Sequence, residues 1–257
     1  MLFNTVIWYF FFYAVIGYLV EVAYCSLLQG RLVNRGFLFG PWLPIYGIGA
    51  LLIIAVTDSF ASNAILVFCS TMLLTSVVEY IGGWALERFF GLRLWDYSAY
   101  RFNFQGRICL RNSTLFALLG LVLVYLIHPS LRQLMGAMNE RTVDLGAHAI
   151  VLLLAVDGTA SVVGMHSFAV LLERYHVQRR EIEEKLASLV PTGQARLLIE
   201  RLKEERHELM ETLALRSRSI LSRFPTLTSR NEERRSHLRA LRERLAEMLR
   251  SGGSDET

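Results

Sequence analysis

Long uncharged stretches constrain this chain more than any other feature of its sequence. Four runs of about twenty residues, the length that a helix needs to cross a bilayer, contain no charged side chain: 1–20, 36–57, 59–78 and 112–131. A fifth run, between Asp144 and Glu173, is interrupted only by Asp157. We therefore predict an all-α membrane protein with five transmembrane helices, over residues 3–28, 41–57, 62–87, 112–128 and 145–172.

Charged residues are divided unevenly along the chain. Residues 1–172 contain 17 of the 50 charged side chains, and residues 173–257 contain the other 33. This division predicts a transmembrane domain over 1–172, followed by a cytoplasmic helical tail over 173–257 whose last few residues are disordered. Three scattered cysteines exclude a disulfide-stabilised secreted scaffold.

Arginines outside the apolar runs predict the orientation. The side of the membrane with more Arg and Lys in its short loops is the cytoplasm. Ten arginines fall on one side when the N-terminus is outside: Arg31, Arg35, Arg88, Arg93, Arg101, Arg107, Arg111, Arg174, Arg179 and Arg180. Only Arg132 and Arg141 fall on the other. We expect the tail in the cytoplasm and the protein in the bacterial plasma (inner) membrane.

The tail carries signals for helices. Ser229 and Glu232 have the spacing of a capping box that opens a helix. An apolar seam follows, with a spacing of three and four residues: Leu238, Leu241, Leu245 and Met248. A similar pattern over about 194–215 predicts another helix, and Pro191 and Pro225 separate the helical pieces.

Two arrangements of these tail helices remain open. They form either a hairpin that packs on itself or a short coiled coil that joins two copies of the chain. Each pattern extends over only two or three heptads, which favours self-packing. Arginines alternate with glutamates throughout, which indicates pairing along the helices and argues against nucleic acid as a partner.

Acidic residues within the apolar runs require an explanation, because each costs at least about 2.5–3.5 kcal/mol at the membrane centre. Glu21 and Glu79 lie at similar predicted depths, about 10 and 12 Å inside the cytoplasmic end of their helices. They form a functional site, or each pairs with an arginine or caps a loop. For Asp157 we favour a hydrogen bond between packed helices, and for His166 an ordinary core histidine.

Two cytoplasmic loops combine glycine, proline, aromatic and polar residues. Irregular backbone at membrane depth persists only where it is buried in protein or lines a wet cavity. We predict a substrate or ion site of Glu21, Arg35, Glu79, Asp96, Asn103 and Arg107. Ten residues of the surrounding motifs are expected to support it: Asn34, Gly36, Gly40, Pro41, Pro44, Tyr46, Trp95, Tyr97, Gly106 and Cys109.

The loop motifs carry a family resemblance. The runs NRGFLFGPWLPIYG, WDYS and FNFQGRICL, with Glu21 before them and Glu79 between them, resemble the bacterial family described as "Putative ABC-transporter type IV" (CmpB-like). The resemblance extends over roughly residues 1–172. It implies a multi-spanning permease with a separate ATPase subunit as partner. No G-x-x-x-x-G-K-[ST] loop occurs in the chain itself.

Three classes of function remain open at this stage. The leading one is a permease-like transport protein with a cytoplasm-facing polar site. The second is a membrane-embedded enzyme for a lipid or lipid-linked substrate; no catalytic motif is recognisable, and Cys109 is expected to be an inert buried thiol. The third is a scaffold that acts through its tail. We expect contact with lipid, homo-oligomerisation through the membrane domain or tail, and neither cofactor nor metal.

Overall fold

The computed structural model describes residues 2–30, 36–188, 193–223, 227–229 and 231–251 of the chain. Eight α-helices account for most of these residues: α1 (Leu2–Gln29), α2 (Pro44–Thr57), α3 (Ala64–Phe90), α4 (Leu110–Val122), α5 (His128–Ala137), α6 (Glu140–Ser188), α7 (Gly193–Arg223) and α8 (Glu232–Ser251). Two short strands, β1 (Asn103–Phe104) and β2 (Ile108–Cys109), form an antiparallel hairpin. The all-α prediction is therefore confirmed.

Among the described residues, four helical segments are long and apolar enough to cross a membrane: Leu2–Leu27, Ala64–Phe90, Leu110–Ala137 and Glu140–Lys185. They correspond to the first, third, fourth and fifth predicted spans. The second predicted span, 41–57, becomes a helix only at Pro44, where the ring occupies the first turn and needs no N–H partner. Because α2 has 14 residues, about 21 Å of helix, it is shorter than a perpendicular crossing requires.

Helices α1 and α2 pack closely because glycines occupy their contact. A side chain at Gly47 would lie 2.7 Å from the Phe10 ring and 2.9 Å from the Phe10 carbonyl oxygen. The N–H of Leu43 donates to the carbonyl oxygen of Ala14 at 2.9 Å, so the residue before α2 is tied to the middle of α1. This packing fixes the position of the first turn of α2.

A proline explains the irregular stretch between α4 and α5. Pro129 lies in the first turn of α5, and residues Leu123–Ile127 before it form a π-helical turn. Proline donates no N–H and its ring collides with the carbonyl four residues earlier, so the preceding turn widens. The apolar segment Leu110–Ala137 continues through this turn.

The chain divides into two compact units. The first contains residues 1–86 and 95–162. Its core brings together side chains from α1, α2, α3 and the π-helical turn: Tyr13, Ala50, Ile53, Val67, Leu123 and Val124. The second unit contains residues 87–94 and 163–257.

In the second unit, α7 and α8 pack against each other. The predicted seam faces inward, since Leu238, Leu241 and Leu245 are all buried. An isolated β-bridge joins Arg93 to Thr228. The N–H of Arg93 donates to the carbonyl of Thr228 at 2.8 Å, and the N–H of Thr228 donates to the carbonyl of Arg93 at 2.9 Å. Residues 92–94 are thereby built into the same unit as the tail helices.

The predicted capping box at the start of α8 is wrong. The hydroxyl of Ser229 donates to the carbonyl of Gly91 at 3.1 Å. Asn231 caps the helix instead, through its side-chain oxygen and the N–H of Arg234 at 3.2 Å. Asparagine is as good an N-cap as serine, and it is the residue directly before Glu232. Pro191, Pro225 and the last residues of the tail lie outside the described part of the chain.

Candidate functional site

The carboxylate of Glu21, on α1, is held by a phenol from α2. The Tyr46 hydroxyl donates to Glu21 Oε2 at 2.7 Å. One turn further along α1, the thiol of Cys25 donates to Oε1 at 3.5 Å. Tyr46 lies in the first turn of α2, and its ring meets that of Phe116 edge to face at 5.9 Å between centroids. The start of α2 therefore places a hydrogen-bond donor beside an acid of α1.

The carboxylate of Glu79, on α3, has the same kind of partner from the second loop. The Tyr97 hydroxyl donates to Glu79 Oε1 at 2.9 Å. Glu79 is only 6% exposed. Its other oxygen, Oε2, is buried and has no hydrogen-bond partner among the described residues. A buried carboxylate oxygen without a donor is costly, so its retention at Glu79 requires an explanation.

These two pairs form one cluster, which we call the carboxylate cluster: Glu21, Tyr46, Glu79 and Tyr97. Glu21 and Glu79 lie close enough for their charges to interact, and Tyr46 is within electrostatic range of both acids. Burial raises the pKa of the Tyr97 hydroxyl, and the charge of Glu79 raises it further. Tyr97 therefore keeps its proton and acts as the donor.

Asp96 and Asn103 fold the loop that carries Tyr97. Asp96 Oδ1 accepts from the Ser98 N–H at 3.0 Å and from the Ser98 hydroxyl at 2.5 Å. The side-chain amide of Asn103 donates to the Tyr100 carbonyl at 2.7 Å, and its oxygen accepts from the Gly106 N–H at 3.1 Å. These contacts shape the backbone on either side of the hairpin. Asp96 and Asn103 therefore position the loop that carries Tyr97.

Gly106 completes the hairpin turn in a conformation that suits glycine. Its φ is +69°, and its carbonyl accepts from the Tyr97 N–H at 2.8 Å. The backbone of Tyr97 is thus tied to the turn while its hydroxyl reaches Glu79. Cys109, at the end of the hairpin, is 1% exposed, so its thiol is closed to solvent.

Arg107 is buried against α3. Its guanidinium lies 5.2 Å from the centre of the Tyr80 ring and hydrogen-bonds to the side-chain oxygen of Gln105 and to the Tyr80 hydroxyl. Its carbonyl accepts from the Trp95 indole at 2.9 Å. Gly83 leaves room for both side chains, because a Cβ there would lie 3.3 Å from Trp95 and 3.6 Å from Arg107. The arginine therefore lies against Tyr80, the residue that follows Glu79 on α3.

The first loop is organised by Asp157, which the sequence did not assign to this role. The Asp157 carboxylate accepts from the N–H groups of Phe39 and Gly40, each at 2.9 Å, and from the Trp42 indole at 2.8 Å. The Ser161 hydroxyl adds a bond to Oδ1 at 3.3 Å. Asp157 thus caps a loop instead of joining two helices. No local feature of the first loop indicates which acid accepts from its N–H groups and its indole.

The remaining predicted residues are distributed as follows. Asn34 and Arg35 lie outside the described residues. Gly36 and Pro41 belong to the non-helical stretch before Pro44. Gly40 allows the fold of that stretch, because a Cβ there would lie 2.0 Å from the Trp42 ring.

A cleft of about 450 Å³ lies elsewhere in the first unit. It is lined by Asn4, Glu140, Arg141, Val143 and Asp144. Asn4 precedes Glu21 by 17 residues on α1, which is about 25 Å along a helix. The cleft is therefore separate from the carboxylate cluster.

Two histidines meet in the second unit. The Nδ1 atoms of His176 and His237 are 3.2 Å apart, and His176 Nε2 lies 2.9 Å from Glu233. His237 is 6% exposed. Burial lowers the pKa of His237 to about 4; Arg179 and His176 lower it further, and Glu183 and Glu233 oppose them. His237 is therefore neutral at physiological pH, and it packs edge to face on Tyr175.

A family model described as "Putative ABC-transporter type IV" matches residues 8–162, which is more than half of the chain. The chain belongs to this family. The match contains both acids of the carboxylate cluster and both motif loops, and it confirms the resemblance seen in the sequence. No curated protein and no solved structure matches the chain. With its apolar helices, the family assignment identifies a membrane protein of the "Putative ABC-transporter type IV" group.

Proposed function

We propose that this chain is a permease-like component of a membrane transport system, and that its transport path passes the carboxylate cluster. The observation that carries the proposal is the pairing of Glu21 and Glu79, two acids on apolar helices, each held by a phenol: Tyr46 from the first turn of α2 and Tyr97 from the loop after α3. Intramembrane acids that face protein rather than lipid commonly mark ion and substrate pathways. Transporters place such sites where helices are interrupted.

The six predicted site residues divide into three roles in this proposal. Glu21 and Glu79 contact the transported species. Asp96, Asn103 and Arg107 hold the second loop, and with it Tyr97, against α3. Arg35 is assigned to the cytoplasmic mouth of the path on the sequence alone, through its place beside the first loop.

The proposal includes five crossings, with the N-terminus outside and the tail in the cytoplasm of the inner membrane. The distribution of arginines supports this orientation. The short helix α2 counts as the additional crossing because it packs along α1 through Gly17 and Gly47, and because its apolar helical segment continues to Phe60. An odd number of crossings places the termini on opposite sides. Reporter fusions at the two ends, active only in the cytoplasm or only outside, distinguish five crossings from four.

The family description further supports a separate ATPase subunit as partner. The transport test therefore uses inside-out vesicles from cells that express the chain with its native partners. The vesicles receive a mixture of inorganic cations, amino acids and sugars, with and without ATP, and their contents are measured by mass spectrometry. We expect at least one solute to accumulate above the level in vesicles from cells without the chain.

Two variants and one control make this test specific. Glu21→Gln and Glu79→Gln keep the side-chain shape and remove the charge, so we expect each to abolish the accumulation. Glu181→Gln changes an exposed glutamate on α6 and is expected to leave it intact. Accumulation that is equal in all three variants would refute a path through the cluster.

A second candidate function is a membrane-anchored scaffold, favoured by the separate core of the second unit. Leu172, Tyr175, Leu213 and Leu238 are each at most 2% exposed there, so the tail has its own packed interior. Removing residues 180–257 separates the two candidates. A scaffold loses its function when the tail is removed and keeps it in the Glu21→Gln and Glu79→Gln variants. A transporter loses its function in these two variants.

A further inference from the structure

The hairpin of β1 and β2 presents large aromatic rings that the fold leaves uncovered. Phe102, just before β1, is 76% exposed, and Phe104 is 57% exposed although its ring lies 5.7 Å from that of Tyr80. The backbone hydrogen bonds of the hairpin do not involve these rings. Rings so exposed gain little from folding, so packing within the chain does not account for them.

The backbone conformation at Phe102 also calls for an explanation. Its φ is +55°, in the left-handed region that bulky side chains rarely occupy and that glycine adopts freely. Its carbonyl accepts from the Leu110 N–H at 3.1 Å, so the conformation is built into the base of the hairpin. A phenylalanine where glycine would be less strained indicates that the exposed ring has a contact beyond the folded chain.

The same segment carries positive charge without acids to balance it. Residues 97–111 contain three arginines and neither Asp nor Glu. Arg107 is buried, whereas Arg101 and Arg111 are exposed. The Arg111 guanidinium lies 5.5 Å from the centre of the Tyr100 ring. Within the part of the chain that the structure describes, neither exposed arginine pairs with a carboxylate. The hairpin therefore offers two cations to an anionic partner.

The position of the hairpin indicates which partner that is. Leu110–Ala137 is apolar and long enough to cross a membrane, so the chain enters the bilayer near Leu110. The hydrogen bond between Phe102 and Leu110 keeps the exposed ring beside this entry point. Arg111 reaches the Tyr24 hydroxyl of α1 at 3.5 Å, close to the end of that apolar helix as well. Rings and cations thus lie where lipid headgroups meet acyl chains.

We propose that this hairpin docks on anionic phospholipid of the adjacent leaflet, the inner one in the orientation proposed above. Phe102 and Phe104 enter the boundary between headgroups and acyl chains, and Arg101 and Arg111 bind phosphate groups. Arginines with apolar aromatic rings are the residues that interfacial segments use, and the planar guanidinium matches phosphate oxygens. Docking needs neither a transported solute nor an ATPase, so it is separate from the proposed transport function.

The test measures thermal unfolding of the purified full-length chain in detergent while dioleoylphosphatidylglycerol or dioleoylphosphatidylcholine is added. A ligand that binds only the folded state raises the melting temperature in a saturable way. We expect the anionic lipid to half-saturate at the lower concentration. Arg101→Gln and Arg111→Gln should each raise that concentration about fivefold for the anionic lipid alone. Arg201→Gln makes the same charge change at an exposed position of α7 and should leave it unchanged.

Phe102→Gly separates the ring from the fold. Because glycine accepts a φ of +55°, we expect its melting temperature without lipid to equal or exceed that of wild type, with a weaker response to both lipids. A melting temperature well below wild type would show that the ring serves the fold, and would overturn its part in docking. An equal response to the two lipids overturns the proposal. So does an equal response of wild type and both arginine variants to the anionic lipid, or stabilisation that inorganic phosphate alone reproduces.

Discussion

Gly17 of α1 lies so close to Tyr46 of α2 that a Cβ at position 17 would be 2.3 Å from the Tyr46 Cβ. The same tyrosine donates its hydroxyl proton to Glu21 at 2.7 Å, four residues further along α1. One helix therefore provides both the space for the Tyr46 ring and the acceptor for its hydroxyl. The absence of a side chain at Gly17 is a condition for the geometry of the carboxylate cluster.

Replacing Gly17 with alanine tests this relationship. The added methyl group forces Tyr46 away from α1, and we expect the free energy of unfolding to fall by about 1–3 kcal/mol, as in other overpacked interiors. Thermal unfolding of the purified protein in detergent measures the loss. Gly49→Ala is the matched control on α2, because a Cβ there meets no atom within 4 Å. An equal effect of the two substitutions would contradict the close packing at Gly17.

Replacing Asp157 with asparagine should loosen the first loop. The carboxylate accepts from two backbone N–H groups and the Trp42 indole, and an amide turns one of its two oxygens into a competing donor. We expect a loss of about 2 kcal/mol in the free energy of unfolding and a shift of the Trp42 fluorescence toward a more solvated environment.

Asp58→Asn provides the comparison for this variant. Asp58 is an exposed acid at the other end of α2, and its replacement should change neither stability nor fluorescence. An Asp157→Asn protein as stable as the Asp58→Asn protein would show that the loop does not depend on the carboxylate.

The second unit should lose stability in acid through His237. The folded pKa is about 4 and the ordinary value is 6.5, so the unfolded chain binds a proton more readily than the folded one between these values. The stabilising contribution is complete above pH 6.5 and is lost progressively as the pH falls toward 4. Its full size is at most about 3 kcal/mol. Hydrogen exchange of α8 in the full chain, followed from pH 7 to pH 4, measures it.

Two substitutions assign this pH dependence to its source. His237→Phe keeps a ring on Tyr175 without a titrating group, and exchange of α8 should then change less over the same pH range. His207→Gln alters a histidine whose side chain is 59% exposed and should leave the profile as in wild type. If the His237→Phe protein loses protection in acid as wild type does, another group is responsible.

Thr228→Pro should weaken the join between residues 92–94 and the tail. Proline has no N–H to donate to the Arg93 carbonyl, a bond of 2.9 Å in the structure. We expect a loss of about 1–3 kcal/mol, seen as faster limited proteolysis of the tail in the full-length protein. Thr228→Val retains the N–H and favours extended backbone, so it should digest at the wild-type rate. Equal digestion of the two variants would show that the bridge contributes nothing.

The sequence predicted the apolar helices well because their signal is local. A run of twenty uncharged residues has few alternatives to a helix in a membrane, and the segment Ala64–Phe90 contains the predicted 62–87 span except for its first two residues. The short α2 was harder to predict. The uncharged apolar run extends back to residue 36. Pro44 and the hydrogen bonds of the preceding loop determine where the helix begins.

The sequence pattern could not predict which residues, distant in the chain, form hydrogen bonds with each other. The hydroxyls of Tyr46 and Tyr97 were expected to support the site, but nothing local indicated that each would hold a different acid. The choice between Ser229 and Asn231 as the helix cap shows the same limit. Both are good caps, and the choice depends on the Gly91 carbonyl, which lies 138 residues away from Ser229.

The bonds of Asp157 also impose an order on biosynthesis. Gly40 leaves the ribosome 117 residues before the acid that binds its N–H. During translation the connection between the first two helices must therefore wait, with unsatisfied donors, until α6 has been made. A chain that ends before Asp157 lacks the acceptor that these donors have in the folded protein, so truncation within the first 156 residues removes the partner of the first loop.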